Sequence, residues 1–452
     1  MFTSIPSLDS VLQCLLPVFT QPSFQTHVEM LLGWVMCLSK RTEYRVFQTI
    51  QADTPVSRKQ RHPFDHFYNF FSRSAWTVRD LARQVAVAVV VRLNPHGLLY
   101  LVVDDTLLHK RGQHVYGLGW FRDAVASTAK RVATASGNNW VVMGLAICIP
   151  GTTKIYCLPI HAMLHLAGKT HKSESTLAKE MLQDVLEWFP DRKLVLLGDG
   201  AYSTKNLLGA LDPRVIHVGV MRADAAIYDP IVSKQSKSRR GPKATKGPRL
   251  PNPKEAMKKA DCKRGGRGPW TWQAVKATAY GVNRKLQAVA FQAVWPEVMA
   301  LTPILVVLVR DPRGKFKDKY LFTTDVNADL SWIIAAFSRR WSIEVAFKSS
   351  KQVMNIQAPQ HWCQQSIEKL APWVWLMQSV IALWYFTDGR KGPAAKAARG
   401  RFGAWDTEWS LAHMLRILHT VILKATINPE SATKADLCQL LADLGNYLNL
   451  AV

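Results

Sequence analysis

The sequence predicts an α/β protein: a mixed sheet with flanking helices, a basic β-containing insertion, and helical regions at both ends. Three observations carry that reading. Apolar residues recur at helical spacing up to about Leu93, short aliphatic runs bounded by turn residues begin after Pro95 and Gly97, and helical spacing returns from Ser331. Strands, then a helix, then a further buried strand is the order of a sheet covered by helices.

Taken in order, residues 1–95 form a helical region with long runs at Phe24 to Leu38 and Val78 to Leu93. The link between them carries Pro55, Pro63 and an aromatic cluster from His62 through Trp76, including Phe64, Phe67, Tyr68, Phe70 and Phe71. Rings in such numbers are more often helix packing than a binding surface. Residues 96–225 hold the first part of the sheet, with strands at Leu98 to Val103, Trp140 to Ile149, Ile155 to Leu158 and Leu194 to Leu197. A helix at about Ser175 to Trp188 separates the last two, with Ser173 and Ser175 as cap candidates.

Residues 226–319 read as an insertion. Lys234 to Arg267 contains thirteen Lys or Arg against only Glu255 and Asp261, and is rich in Pro, Gly and Ser, so it cannot bury a core by itself. Strand-like runs follow at Leu286 to Val294 and Pro303 to Val309. Residues 320–390 return to the core with a strand at Tyr320 to Thr324 and helical segments at Ser331 to Lys351 and Leu370 to Phe386. The last of these carries Pro372, Gln378 and Ser379 and falls short of the ~20 apolar residues a membrane span needs, so it reads as a buried core helix. Residues 391–452 are helical again from about Thr407 to Leu448, and the chain has no internal repeat.

Composition narrows the function. With 452 residues, 48% hydrophobic and 10% aromatic, the chain has enough apolar material for one large core or two to three ordinary ones. Lys plus Arg outnumber Asp plus Glu by 58 to 33, a net charge of +25, which points to a polyanionic partner and to nucleic acid first. The helical region 1–95 is then expected to bind DNA. A membrane surface is disfavoured, because no polybasic amphipathic helix offers a clean apolar face. Seven cysteines lie scattered at Cys14, Cys37, Cys148, Cys157, Cys262, Cys363 and Cys438, without the short spacing of a zinc or redox motif. Reduced thiols, together with the absence of a signal sequence in Met1 to Gln21, lead to the expectation of a cytoplasmic protein.

Three acidic positions carry chemistry. Val102-Val103-Asp104-Asp105-Thr106 puts two carboxylates at the end of a buried strand, where a charge is costly unless used or paired. Strand side chains alternate, so only one of the two faces a given site; Asp105 is favoured, with Asp104 as the alternative. Leu194-Val195-Leu196-Leu197-Gly198-Asp199-Gly200-Ala201-Tyr202 again ends an aliphatic strand in an acid, flanked by glycines. In Phe337 to Lys351, Phe337, Arg340, Glu344 and Lys351 fall within about 60° of one another on a helix, bracketing one carboxylate with two cations. Singly, each acid is more often a turn residue, a cap or half of a weak surface pair.

The chain here resembles the Asp-Asp-Glu transposases of bacterial insertion sequences, in the branch marked by Tyr-x2-Arg-x3-Glu-x6-Lys. Arg340, Glu344 and Lys351 keep that spacing and Phe337 stands where the tyrosine would be. The strand-end acid followed by Thr106 and the Gly-Asp-Gly-Ala-Tyr turn are similar to that family's other two catalytic motifs, so the resemblance spans about Leu98 to Lys351. It implies a ribonuclease-H-like core in which Asp105, Asp199 and Glu344 converge on two Mg²⁺ ions, with Mn²⁺ able to substitute. Hard oxygen donors without Cys or His suit such ions. It implies that Arg340 and Lys351, with Arg339 and Lys348 beside them, hold phosphates. In the insertion it implies DNA contacts, for which Arg239, Arg240, Lys243 and Lys246 are the basic candidates and Trp270, Trp272 and Trp295 the stacking candidates. The implied function is cleavage of terminal inverted repeats and joining to target DNA, by a homodimer on double-stranded DNA in a bacterial nucleoid. A catalytically silent DNA-binding relative, or a nuclease that cuts without joining, are the alternatives.

Other signals are weaker. Gly168-Lys169-Thr170 lacks the earlier glycine of a nucleotide-binding loop, because that position is Met163. His161 and His165 have zinc-like spacing but no accompanying acid, and no Gly-x-Ser-x-Gly elbow occurs.

Overall fold

The computed structural model describes residues 3, 5–53, 64–128, 131–149, 154–168, 170–230, 246–261, 270–402 and 410–426. Helices Pro6–Leu12 (α1), Gln21–Met36 (α2), Glu43–Asp53 (α3), Phe64–Ser72 (α4) and Val78–Leu93 (α5) precede the sheet. Thr77 caps α5 by accepting from the Asp80 amide. Strands Leu99–His109 (β1), Gly119–Arg122 (β2), Thr134–Cys148 (β3) and Ile155–His165 (β4) follow, then Glu174–Trp188 (α6), Leu194–Leu197 (β5), Lys205–Leu208 (α7) and Val215–Val220 (β6). Beyond them come Pro253–Asp261 (α8), Gln273–Ala279 (β7), Val282–Val294 (β8), Pro296–Met299 (α9), Pro303–Arg310 (β9) and Lys319–Thr323 (β10). The chain then runs through Leu330–Ser338 (α10), Trp341–Gln352 (α11), Gln364–Thr387 (α12), Pro393–Phe402 (α13) and Leu411–Thr426 (α14).

One sheet holds all ten strands, in the order β2-β3-β1-β5-β6-β10-β9-β8-β7 with β4 also on β3. β4, β3 and β1 are successive antiparallel neighbours, and β1, β5 and β6 are parallel. This β4-β3-β1-β5-β6 arrangement is the expected ribonuclease-H-like sheet. The strands of the insertion do not make a sheet of their own. β10 pairs antiparallel with β6, and β9, β8 and β7 extend the meander outward from it. β6, which sequence patterning missed, is the joint between the two halves. A two-residue turn links β7 to β8, with Tyr280 and Gly281 both at positive φ.

The helical regions share one core with the sheet. α12 has the length and apolarity to cross a bilayer, yet nearly all of it is buried inside the protein, as expected for a core helix. Trp373 on α12 donates its indole N–H to His27 Nδ1 of α2 at 3.0 Å, and burial holds that imidazole neutral by pushing it down to about 3. Trp384 donates to Ser7 Oγ and Trp34 to the Met354 carbonyl. Phe67, Phe70, Phe71 and Trp76 are buried in the same cluster, so those rings of the aromatic segment are packing residues.

The ends of β1 and β4 differ from the sequence reading for a common reason. β1 and β4 run on to His109 and His165, well past their aliphatic runs, because the polar residues that ended the pattern stand on the strands themselves. The single helix expected from Ser331 to Lys351 breaks into α10 and α11 at Arg339 and Arg340. There the backbone bonds tighten to i→i+3, and the Ser338 and Ser342 hydroxyls donate to the carbonyls of Ala335 and Arg339.

Candidate active site

Strand pairing creates the site. β5 pairs with β1 only from Leu99 to Val102, so the next residues of β1 open away from it. Asp104 and Asp105 lie within β1 just past that split, and Asp199 follows β5 after Gly198, so the acids meet where two parallel strands part, the kind of place where open α/β sheets form their crevices. Gly198 lets the chain fold back: a Cβ there would meet Tyr202 Cβ at 2.9 Å. Asp199 accepts from the Ala201 amide at 2.8 Å, which fixes the turn.

Alternation sends the neighbouring aspartates to opposite faces. On the face of Asp104, Tyr100 accepts a hydrogen bond from Trp332 of α10 and lies under the Arg339 guanidinium at 4.0 Å. Arg340 donates to Asp104 Oδ2 at 3.0 Å and to Glu344 Oε1 at 2.6 Å, bridging the two acids. On the face of Asp105, the strands pair Leu107 with Asn139 and Asn139 with His165, and the contacts there are with α6. Asn139 donates to Glu174 Oε1 at 2.9 Å, and His161 pairs with Asp184 at 3.0 Å.

The electrostatics follow this division. Burial, and next the negative charge of Asp199, push the Asp104 carboxyl up to about 7 against the pull of Arg340. Burial, then Glu174 and Asp199, push Asp105 up to about 6, opposed by a hydrogen bond from Asn139. Asp199 thus acts on both faces. Burial opposes the Arg340 charge, but Asp104 and Glu344 more than offset it and hold the guanidinium above its ordinary value. Lys351 is half-buried and lowered by that burial, although Asp123 and Asp105 favour its charge.

Among the described residues, no three acidic, histidine or cysteine side chains stand as a metal-ligating group in the present rotamers; Arg340 occupies the space between Asp104 and Glu344. The donor set nevertheless suits a hard divalent cation. It is carboxylate oxygen throughout, the acids repel one another, and a guanidinium already stands between two of them as a positive charge.

The remaining candidates separate. Lys348 is exposed on α11, one turn beyond Glu344. Lys246 lies over the Tyr228 ring at 3.7 Å, whereas Arg239, Arg240 and Lys243 fall outside the described residues. Trp295 must be removed from the DNA-contact set: it is 1% exposed, caps α9 and packs edge-on against Phe322. Its ring fills the junction beside β10 and has no face to offer a base. Trp270 packs on Phe291, and Trp272 donates to Asp261 beneath the Arg310 guanidinium. Sequence reasoning passed over Glu174 and Asn139; an acid directly after the Ser173 cap was the available signal. A cavity of about 880 Å³ lies against a different face of α10 and α11, with Phe337, Trp341 and Val345 in its lining. Its one acidic residue is Asp311, so the carboxylate crevice, not this cavity, is the place for chemistry.

A family model described as DDE superfamily endonuclease matches residues 14–284. No curated protein matches the chain. Among solved structures, a piggyBac transposase synaptic complex with hairpin DNA aligns over 99% of this chain and 85% of that one, at 12% identity and a TM-score of 0.40.

Proposed function

The chain belongs to the DDE superfamily endonucleases, and from that premise we propose that it is a transposase that cleaves the terminal inverted repeats of an insertion sequence and joins them to target DNA. The observation that carries the reading is the Arg340 bridge between Asp104 and Glu344, beside Asp199 where β1 and β5 part. It joins the three sequence motifs in one crevice. The face of β1 favours Asp104 over Asp105 as the partner of Glu344.

In this reading Asp104, Asp199 and Glu344 hold Mg²⁺, two ions per site, with Mn²⁺ able to substitute. Such ions, when bound, activate an attacking water or 3′-hydroxyl and stabilise the leaving oxygen. The protein's own part is orientation and charge. Arg340 is a planar donor fork suited to a phosphate, and DNA would compete with Asp104 and Glu344 for it. Lys351 supplies a second, half-buried cation, and Arg339 and Lys348 extend the basic surface. The net charge of +25 suits long stretches of double-stranded DNA. A homodimer on paired ends in the bacterial cytoplasm completes the proposal.

The test is a Mg²⁺-dependent cleavage and strand-transfer assay on DNA carrying the flanking repeats, with Glu344→Gln as the comparison. Cutting and joining by wild type, with binding alone by the variant, supports the reading. Binding without cutting by both would leave a silent DNA-binding protein, and cutting without joining would leave a nuclease.

A further inference from the structure

Beyond the crevice, the sheet carries a second concentration of cationic and aromatic side chains on the same face. β2, the end strand of the sheet, pairs antiparallel with β3, placing Trp120 opposite Ser136 and Arg122 opposite Thr134. Asp104 of β1 stands opposite Val142 of the same β3. Residues opposite one another share a face, and faces alternate along a strand, so Trp120 and Arg122 project from the face that carries Asp104 and the Arg340 bridge. Along β3, Ser136 is six residues from Val142, about 20 Å, a little over half a turn of duplex DNA.

Trp120 is 75% exposed, more than any other aromatic side chain among the described residues, and Arg122 is exposed beside it on the strand. Arg111, before β2, and Arg131, between β2 and β3, are exposed as well. The only acid from His109 to Ser136 is Asp123, which is buried, accepts from the Val125 and Ala126 amides and pairs with His109 at 2.9 Å. The arginines of this segment therefore face solvent with no exposed carboxylate of the segment to offset them. Guanidinium groups suit phosphates, and an exposed indole suits the apolar flank of a deoxyribose, so the surface fits a sugar-phosphate backbone. A second copy of this chain, at a net charge of +25, would be repelled by the same charges.

Joining brings two duplexes to one set of carboxylates, the end of the element and the target. In the sheet order β2 and the insertion strand β7 stand at opposite ends, with the parting of β1 and β5 between them. The basic insertion, on the β7 side, is the candidate for the element's end, which leaves the β2 side for the other duplex. We propose that the exposed face of β2, through Trp120 and Arg122 with Arg111 and Arg131 from the flanking loops, holds the backbone of the target duplex. The assignment rests on the transposase reading above and deepens it, giving target DNA a surface separate from the carboxylate crevice.

The experiment gives the full chain pre-cut element ends and follows joining against the concentration of a plain target duplex, with cleavage of uncut ends measured alongside. Arg122→Gln and Trp120→Ala are each expected to raise the target concentration for half-maximal joining roughly three- to tenfold, and Arg122→Gln to lower the salt dependence by about one phosphate contact. Cleavage of the ends is expected to stay at the wild-type rate. Both side chains are exposed, so neither change opens the core, and thermal melting of each variant gives the fold control. Equal falls in cleavage and joining would assign β2 to the element's ends and overturn the proposal, and joining unchanged in both variants overturns it too; the transposase reading survives either result. Wild type that cuts but never joins overturns both.

Discussion

Asp104 and Asp105 are adjacent in sequence, end the same aliphatic run and are both partly buried, yet they belong to different surroundings. Asp104 meets a guanidinium and α11; Asp105 meets an amide, a carboxylate and α6. The difference teaches that in a central strand a single step along the chain changes which helix a side chain serves. The negative charge of Asp199, which follows the short β5, raises the proton affinity of both.

The comparison can be broken most directly at the shared acid. Asp199→Asn is expected to lower cleavage by roughly 10³-fold or more, whereas Asp105→Asn, on the face away from Arg340 and Glu344, is expected to lower it less; equal losses in the two variants would erase the difference between the faces. Next in size, Arg340→Gln leaves Asp104 and Glu344 without their common cation and is expected to cost about 1–3 kcal/mol in urea denaturation of the metal-free protein at neutral pH. Restoration of stability by the additional change Glu344→Gln is the expected sign of coupling.

Acidity distinguishes the faces more finely. Both carboxyls sit above their unfolded value of about 3.9, so each holds its proton longer in the folded chain than in the unfolded one. The contribution of these two groups to the stability of the metal-free protein is fully present below about 3.9 and is lost as pH rises, by about 6 for Asp105 and by about 7 for Asp104. Asp105→Asn is expected to make the decline between about 4 and 6 shallower, and Asp104→Asn to do so all the way to about 7; identical profiles for the two variants would erase the distinction. The smallest effect is expected from Asn139→Ala, which deletes the donor to Glu174 and should cost about 1 kcal/mol in urea denaturation. Cleavage of DNA at saturating Mg²⁺ should change least of all in that variant.

Much of the site was legible in the sequence because its motifs sit where aliphatic runs stop. Asp199 was found that way, and Arg340, Glu344 and Lys351 by their spacing on one helical face. Glu174 was not, since an acid in the first turn of a helix has an ordinary explanation in the helix dipole. Trp295 misled for the converse reason: a tryptophan in a basic, β-rich segment has the chemistry of a stacking ring, and burial against Phe322 takes away its free face.

By itself the sequence determined the mixed α/β class, most of the main helices and strands, and the acidic motifs at 104–105, 199 and 344, because periodicity and strand-end charge are local properties of the chain. Tertiary structure alone decided that the insertion's strands extend the core sheet through β6, that α1, α2, α4 and α5 pack on α12, and that Arg340 links Glu344 to Asp104 rather than to Asp105. Those outcomes depend on strand pairing and on which faces bury one another, and residues far apart in the chain fix them jointly.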